Sequence, residues 1–278
     1  MLDKSTAPKK HLGQNFLKDA ILISKIIEIA NITKDDKVIE IGPGKGALTF
    51  HLAEKALKVL AIEIDHNLYE YLNEQAGESY PSLTIIEEDV LKFPFETIES
   101  KFKVVANVPY YISTPIIFKL MEARNKITDM TIMLQKELAN RIVASPNCKD
   151  FGILSIAVQF YATPTIELEI PRDAFFPVPK VDSAVLKIVP RKNPAVRVGN
   201  ENLFWAVIKS AFSHRRKTLL NSLAMAGFKK DMLEGILINA GIELNIRPEN
   251  LSMEEWGKLV DELTDHLEYQ KMRKSHDW

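Results

Sequence analysis

The chain has 278 residues, 46% of them hydrophobic and 26% charged, with a formal net charge of −1. That length and apolar content suffice for one large domain, or a large and a small one, and they exclude disorder as the default. No apolar run approaches the roughly 20 residues of a membrane span, and a single cysteine excludes an intrachain disulfide.

Residues 1–18 read as a basic N-terminal arm with no apolar segment of a signal peptide behind it, so a cytoplasmic protein without membrane association is expected. Strand patterns follow near 37–41, 59–64, 83–87, 103–107 and 131–135, with helical patterns near 19–30, 47–54, 66–76, 114–123 and 136–144. This alternation predicts an α/β fold, a Rossmann-like and mostly parallel sheet flanked by helices. Two further strands, 155–161 and 183–189, are expected to close the sheet as an antiparallel edge pair, because no long helical pattern separates them.

After 190–194 the periodicity is helical only, at 203–212, 217–226, 230–240 and 252–267, and Ser252 followed by Glu255 reads as a capping box. A catalytic domain over 1–192 and a small all-α domain over 193–278 are therefore expected. The charge is unevenly spread. Between 205 and 230 stand Lys209, Arg215, Arg216, Lys217, Lys229 and Lys230 without an acid, whereas the last helix carries Glu254, Glu255, Asp261, Glu262, Asp265 and Glu268. Lys209, Arg215, Arg216 and Lys217 are the candidate contacts to nucleic-acid phosphates.

Cys148 lies in the polar loop 145–150 with no histidine near it in sequence, an unsuitable setting for a nucleophile. The six histidines show no metal-ligand spacing, and no metal is expected. Chemistry concentrates at the strand ends instead. The loop Glu40-Ile41-Gly42-Pro43-Gly44-Lys45-Gly46 follows the first sheet strand, where close glycines let a ligand approach the backbone. Its Gly-x-Gly-x-Gly spacing and the acid Glu40 just before it argue against a dinucleotide. A carboxylate there repels a pyrophosphate but suits S-adenosylmethionine, which carries an ammonium and a sulfonium. Glu63, about twenty residues on, ends the next strand and can accept hydrogen bonds from ribose hydroxyls. Asp89 ends the third, within reach of an adenine amino group.

The fourth strand runs into Asn107-Val108-Pro109-Tyr110. An adenine amino nitrogen is a poor nucleophile because its lone pair is delocalised into the ring. Two acceptors that draw its hydrogens out of plane localise that pair toward a methyl donor. The Asn107 side-chain oxygen and the Val108 carbonyl are the candidates; Pro109 biases Val108 toward an extended conformation, and Tyr110 offers a ring for the base. No strong general base is required. In the segment Phe175-Phe176-Pro177-Val178-Pro179, Phe175 is expected to form the opposite wall of a base sandwich, with Phe176 as the packing residue.

With His11 to Leu17, Glu40 to Gly46, Glu63, Asp89, Asn107 to Tyr110, Leu134 to Glu137, Phe175 to Ser183 and Phe212 to Leu219 all present in this order, the chain resembles the adenine dimethylases of ribosomal RNA, and among them the bacterial small-subunit group. The resemblance implies that Asn15 and Leu17 cover S-adenosylmethionine from the arm, that Gly42, Gly44, Glu63 and Asp89 bind it, and that Asn107 serves both cofactor and substrate. It implies transfer to N6 of two adjacent adenosines in a hairpin loop near the 3′ end of small-subunit (16S) RNA within an immature 30S particle, by a monomer releasing S-adenosylhomocysteine. Val108 stands where leucine is frequent in the family. The alternatives are a resistance-type enzyme acting on large-subunit RNA, a non-catalytic ribosome assembly factor, and a DNA adenine methyltransferase, which no DNA-reading module supports.

Overall fold

The computed structural model describes residues 6–214 and 216–276. A short strand β1 (Phe16–Leu17) precedes α1 (Ala20–Ala30), whose first turn is capped by Asp19 accepting from the amides of Ile21 and Leu22. The sheet then alternates with helices as β2 (Lys37–Ile41), α2 (Thr49–Lys55), β3 (Lys58–Glu63), α3 (His66–Ala76), β4 (Leu83–Glu87), β5 (Phe102–Asn107), α4 (Ser113–Glu122), β6 (Ile127–Gln135) and α5 (Lys136–Val143). Val38, Ile39 and Ile41 of β2 and Val104 to Ala106 of β5 are all buried. Such continuous apolar runs mark parallel strands covered on both faces.

After α6 (Ile153–Tyr161) come β7 (Ala162–Ile170), the two-residue β8 (Phe175–Phe176) and β9 (Ser183–Pro190). The seven-stranded sheet has the order β4-β3-β2-β5-β6-β9-β7. The five strands from β4 to β6 are parallel, and β9 runs antiparallel to both β6 and β7. This is the Rossmann-like sheet expected from the alternation, closed by an antiparallel pair.

One strand of that pair lies elsewhere than expected. Residues 155–161 are helical, and the strand is β7. Ile153 to Tyr161 is apolar at nearly every position, and Ser155, Ile156, Ala157, Val158 and Phe160 are buried, so the run carries no period to separate strand from helix. In β7 burial is confined to Ala162 and Ile170 at its ends, and the residues between alternate exposed and half-buried.

The chain divides into two compact units. One extends to Asn140 and resumes over Ala162–Arg191; the other comprises Arg141–Tyr161 and the chain from Lys192 onward. Residues 141–161, expected inside the catalytic domain, thus belong to the helical unit. That unit contains α7 (Glu201–Ala211), α8 (Leu219–Met225), α9 (Lys230–Asn239) and α10 (Met253–His276). An apolar helix needs cover around its circumference, and α6 finds it here: Phe160 stacks on Phe204 at 4.6 Å between ring centroids. Phe160, Phe204, Trp256 and Leu263 share one buried core. The capping box forms at the start of α10, where Ser252 N donates to Glu255 Oε2 (2.7 Å) and Glu255 N donates to Ser252 Oγ (3.2 Å).

Candidate active site

The strand order reverses between β2 and β5: β3 and β4 lie to one side of β2, β5 and β6 to the other. The crevice beyond the carboxyl ends of two such strands is where open α/β sheets bind ligands. Here the glycine loop leaves β2 on one side and Asn107 ends β5 on the other, and both line one pocket. Gly42 has φ of +67°, and a Cβ on it would stand 3.3 Å from the Asn107 carbonyl oxygen. Both the conformation and the approach call for glycine. Gly44 N donates to Glu63 Oε2 at 3.1 Å, tying the loop to the end of β3, while Asp65 N donates to Glu63 Oε1 at 2.9 Å.

Two buried acids line this pocket, Glu40 and Glu63. Burial pushes the Glu40 carboxyl up to about 8, and the neighbouring Glu63 adds to the rise. The nearby Thr49 hydroxyl favours the charged form, yet neither Glu40 Oε2 nor Thr49 Oγ1 has a properly formed hydrogen bond. Burial likewise raises Glu63, against the amides of Asp65 and Gly44. An orphaned, buried carboxylate oxygen is costly unless a ligand satisfies it. This set of acceptors therefore fits a cofactor that presents a cationic group to Glu40 and hydroxyls to Glu63. Asp89 is not among the pocket residues. It stands at the end of β4, beside β3 through a bond from Glu88 N to Glu63 O (2.9 Å), and its carboxylate accepts from Leu91 N (3.0 Å).

The arm forms another part of the lining. Asn15, Phe16 and Leu17 line the pocket. The ring of Phe16 lies over Gly44, where a Cβ would stand 3.2 Å from it. Val108, Pro109 and Tyr110 line the same pocket. The Asn107 Nδ2 donates to the Asn15 carbonyl (3.4 Å), and Val108 N donates to Met133 O (3.2 Å), fixing the peptide on β6. Tyr110 Oη shares a 2.7 Å hydrogen bond with Ser183 Oγ on β9. Burial raises the Tyr110 phenol above its ordinary value, so it stays neutral. The sequence alone assigns no site role to Ser183, Phe16 or Gln14, although all three lie within the motifs that carry the resemblance.

The burial of the two phenylalanines of β8 is the reverse of the expectation, and neither is among the pocket residues. Phe175 is 1% exposed and packs in the core under the sheet, whereas Phe176 is 47% exposed. The reason is strand pairing. β8 runs antiparallel to β1 with Phe16 opposite Phe176 and Leu17 opposite Phe175. Paired residues share a face, so Leu17 and Phe175 turn into the core, and Phe176 stands on the same face as the pocket residue Phe16.

In the helical unit, Arg216 lines a cleft of about 600 Å³ with Arg141, Lys149 and Arg247. Lys209 lies near the end of α7, and Lys217 precedes α8; neither lines this cleft. Arg215 lies outside the described residues. Among the described residues no group of acids, histidines and cysteine could hold a metal, and no helix is long and apolar enough to cross a membrane.

A Rossmann-like sheet with a glycine loop, buried acids and an Asn-x-Pro-Tyr strand end at its switch point defines the class of S-adenosylmethionine-dependent methyltransferases. The sequence profile described as "Ribosomal RNA adenine dimethylase" matches residues 6–265. The chain belongs to the ribosomal RNA adenine dimethylase family. It is similar to the Ribosomal RNA small subunit methyltransferase A of Alkaliphilus oremlandii, with 46% identity covering 93% of this chain and 92% of that one. The protein of the same name from Streptococcus pneumoniae is also 46% identical, covering 92% and 91%. Among solved structures, a dimethyladenosine transferase from Plasmodium falciparum superposes with a TM-score of 0.76 at 30% identity, over 92% of this chain and 98% of that one. The 23S rRNA methyltransferase ErmE superposes at 0.71 with 27% identity, over 90% and 99%.

Proposed function

We propose that the protein transfers methyl groups from S-adenosylmethionine to N6 of two adjacent adenosines in a hairpin loop near the 3′ end of small-subunit ribosomal RNA. The products are N6,N6-dimethyladenosines and S-adenosylhomocysteine. It acts as a cytoplasmic monomer on an immature small subunit. The observation that carries the reading is the placement of Asn107 and Val108 on the same pocket as the orphaned Glu40.

When bound, S-adenosylmethionine supplies an electrophilic methyl group on a sulfonium. Glu40 pairs with its cationic portion, Glu63 accepts from the ribose hydroxyls, and the Gly42–Gly44 backbone allows close approach. Asn15 and Leu17 cover it from the arm, and Asp89 lies at the outer end of this row of acids. The Asn107 Oδ1 and the Val108 carbonyl accept the two hydrogens of the target amine and localise its lone pair. Pro109, with φ −58° and ψ 135°, keeps the chain extended immediately after that carbonyl, before the 3-10 turn at Tyr110–Ile112. The Tyr110 ring, held at its hydroxyl by Ser183, supports the base, and Phe176 replaces Phe175 as the opposing surface. No side chain needs to act as a strong base, because positioning carries most of the barrier reduction and the amine proton is lost to solvent once the N–C bond has formed and the S–C bond has broken. Loop bases suit such a pocket since they need not be extracted from a helix.

The basic residues Lys209, Arg215, Arg216 and Lys217 contact RNA phosphates. Small-subunit RNA is favoured over large-subunit RNA by the 46% identity to small-subunit enzymes, against 27% to the large-subunit enzyme ErmE. The segments 134–142 and 151–152 also resemble the small-subunit group. Purified immature small subunits and large-subunit RNA, each incubated with labelled cofactor and mapped by mass, test the proposal. Dimethyladenosine confined to the small-subunit loop is expected; transfer confined to large-subunit RNA contradicts it.

A further inference from the structure

Asp65 is 3% exposed, and its carboxylate gathers three donors. Lys9 Nζ lies 2.6 Å from Oδ1, Gln14 Nε2 lies 2.8 Å from Oδ2, and Oδ1 also caps α3 by accepting from the Asn67 amide at 3.0 Å. The Gln14 Oε1 in turn accepts from Lys9 N at 2.8 Å. These bonds span 56 and 51 residues of sequence, and they close a ring that ties the arm to the end of β3. Burial alone would push the Asp65 carboxyl up, but the bonds from Lys9, Gln14 and Asn67 outweigh it and hold it below its usual range. The other end of the arm is tied as well: β1 pairs with β8, and Lys18 N donates to Ala174 O at 3.0 Å.

Between these two anchors lies Asn15, whose carbonyl receives the Asn107 amide nitrogen. A backbone carbonyl can only accept, so it must face Nδ2 and never Oδ1. The contact therefore selects one of the two orientations of the Asn107 amide and leaves Oδ1 as its acceptor. At 3.4 Å this is a long bond, weakened further by any drift of the arm. We propose that Asp65, acting through Lys9 and Gln14, is a positioning residue that holds the Asn15 carbonyl in place and so keeps Asn107 in its acceptor orientation. The arm is then part of the catalytic machinery as well as a cover for the cofactor. The inference rests on the reading of Asn107 as an acceptor for the target amine.

The test compares Lys9→Met, Asp65→Asn and the conservative Lys9→Arg with the wild-type protein. Lys9→Met leaves the α3 cap intact, so the test does not depend on Asp65→Asn folding. Two quantities are read: hydrogen exchange of the amides over residues 9–17 in the cofactor-free protein, and single-turnover methyl transfer to immature small subunits at saturating S-adenosylmethionine. Lys9→Met and Asp65→Asn are expected to speed exchange across the arm and to slow transfer by about 10- to 100-fold, the scale of a misplacement near 1 Å. Lys9→Arg is expected to restore both. A loosened arm with transfer at the wild-type rate overturns the inference, as does unchanged exchange. A wild-type protein that methylates neither subunit's RNA, with the arm still protected, removes the functional reading and this inference with it.

Discussion

Gly42 and Asn107 meet backbone to backbone: a Cβ added to Gly42 would stand 3.3 Å from the Asn107 carbonyl oxygen, and Gly42 already has φ of +67°. The cofactor loop and the strand end assigned to the acceptor base thus share a contact that leaves almost no room for a side chain. Gly42→Ala should cost about 1–2 kcal/mol from the left-handed backbone alone, with an added shift of the Asn107 peptide. Chemical denaturation checks the stability, and methyl transfer at saturating cofactor checks the shift. Full activity with unchanged stability would mean that the contact is slack.

Glu40 makes the cofactor-free protein sensitive to pH. Its folded value of about 8 lies above the ordinary 4.5, so between these the folded state retains a proton that the unfolded state has lost. The stabilising contribution is complete below about 4.5 and lost as pH rises through about 8, with a slope of up to about 1.4 kcal/mol per pH unit. Glu40→Gln should flatten this dependence, and urea denaturation from acidic to alkaline pH reads it.

The same carboxyl links cofactor binding to proton release, since pairing with an ammonium requires the charged form. Near pH 7 binding calorimetry in buffers of different ionisation heat should detect release of a proton, and Glu40→Gln should abolish it. Binding without proton exchange in the wild-type protein contradicts this assignment.

The adjacent phenylalanines should separate cleanly. Phe175→Ala empties a core site and should cost about 3–5 kcal/mol. Phe176→Ala should leave thermal stability nearly unchanged while raising the KM for RNA. The opposite pattern would return the stacking role to Phe175.

Charge reversal at Arg216 and Lys217 should weaken small-subunit binding and reduce the slope of log affinity against log salt by about 1 per lost phosphate contact. Filter binding across a salt series measures it. An unchanged slope assigns these cations to structure.

Local signals made much of this legible. The glycine loop, Glu63 and the Asn107 to Tyr110 turn each lie at the end of a mostly buried parallel strand, whose apolar run is visible without partners. The capping box of Ser252 and Glu255 is a three-residue relationship and formed as read. What escaped was set by distant chain. Residues 155–161 are apolar but for Ser155 and Gln159, so only the surrounding helical core selects helix. Whether Phe175 or Phe176 turns inward depends on pairing with Phe16 and Leu17, far away in sequence. Asp65 caps α3 locally; its hold on Lys9 and Gln14 exists only after the arm has folded back.

The central claim is that Asn107 activates the target amine by accepting its hydrogens. It is tested most directly by Asn107→Ala in single-turnover transfer to immature small subunits, with particle binding measured in parallel. Loss of transfer by about 100-fold or more with binding retained is the predicted result; transfer near the wild-type rate would contradict the account.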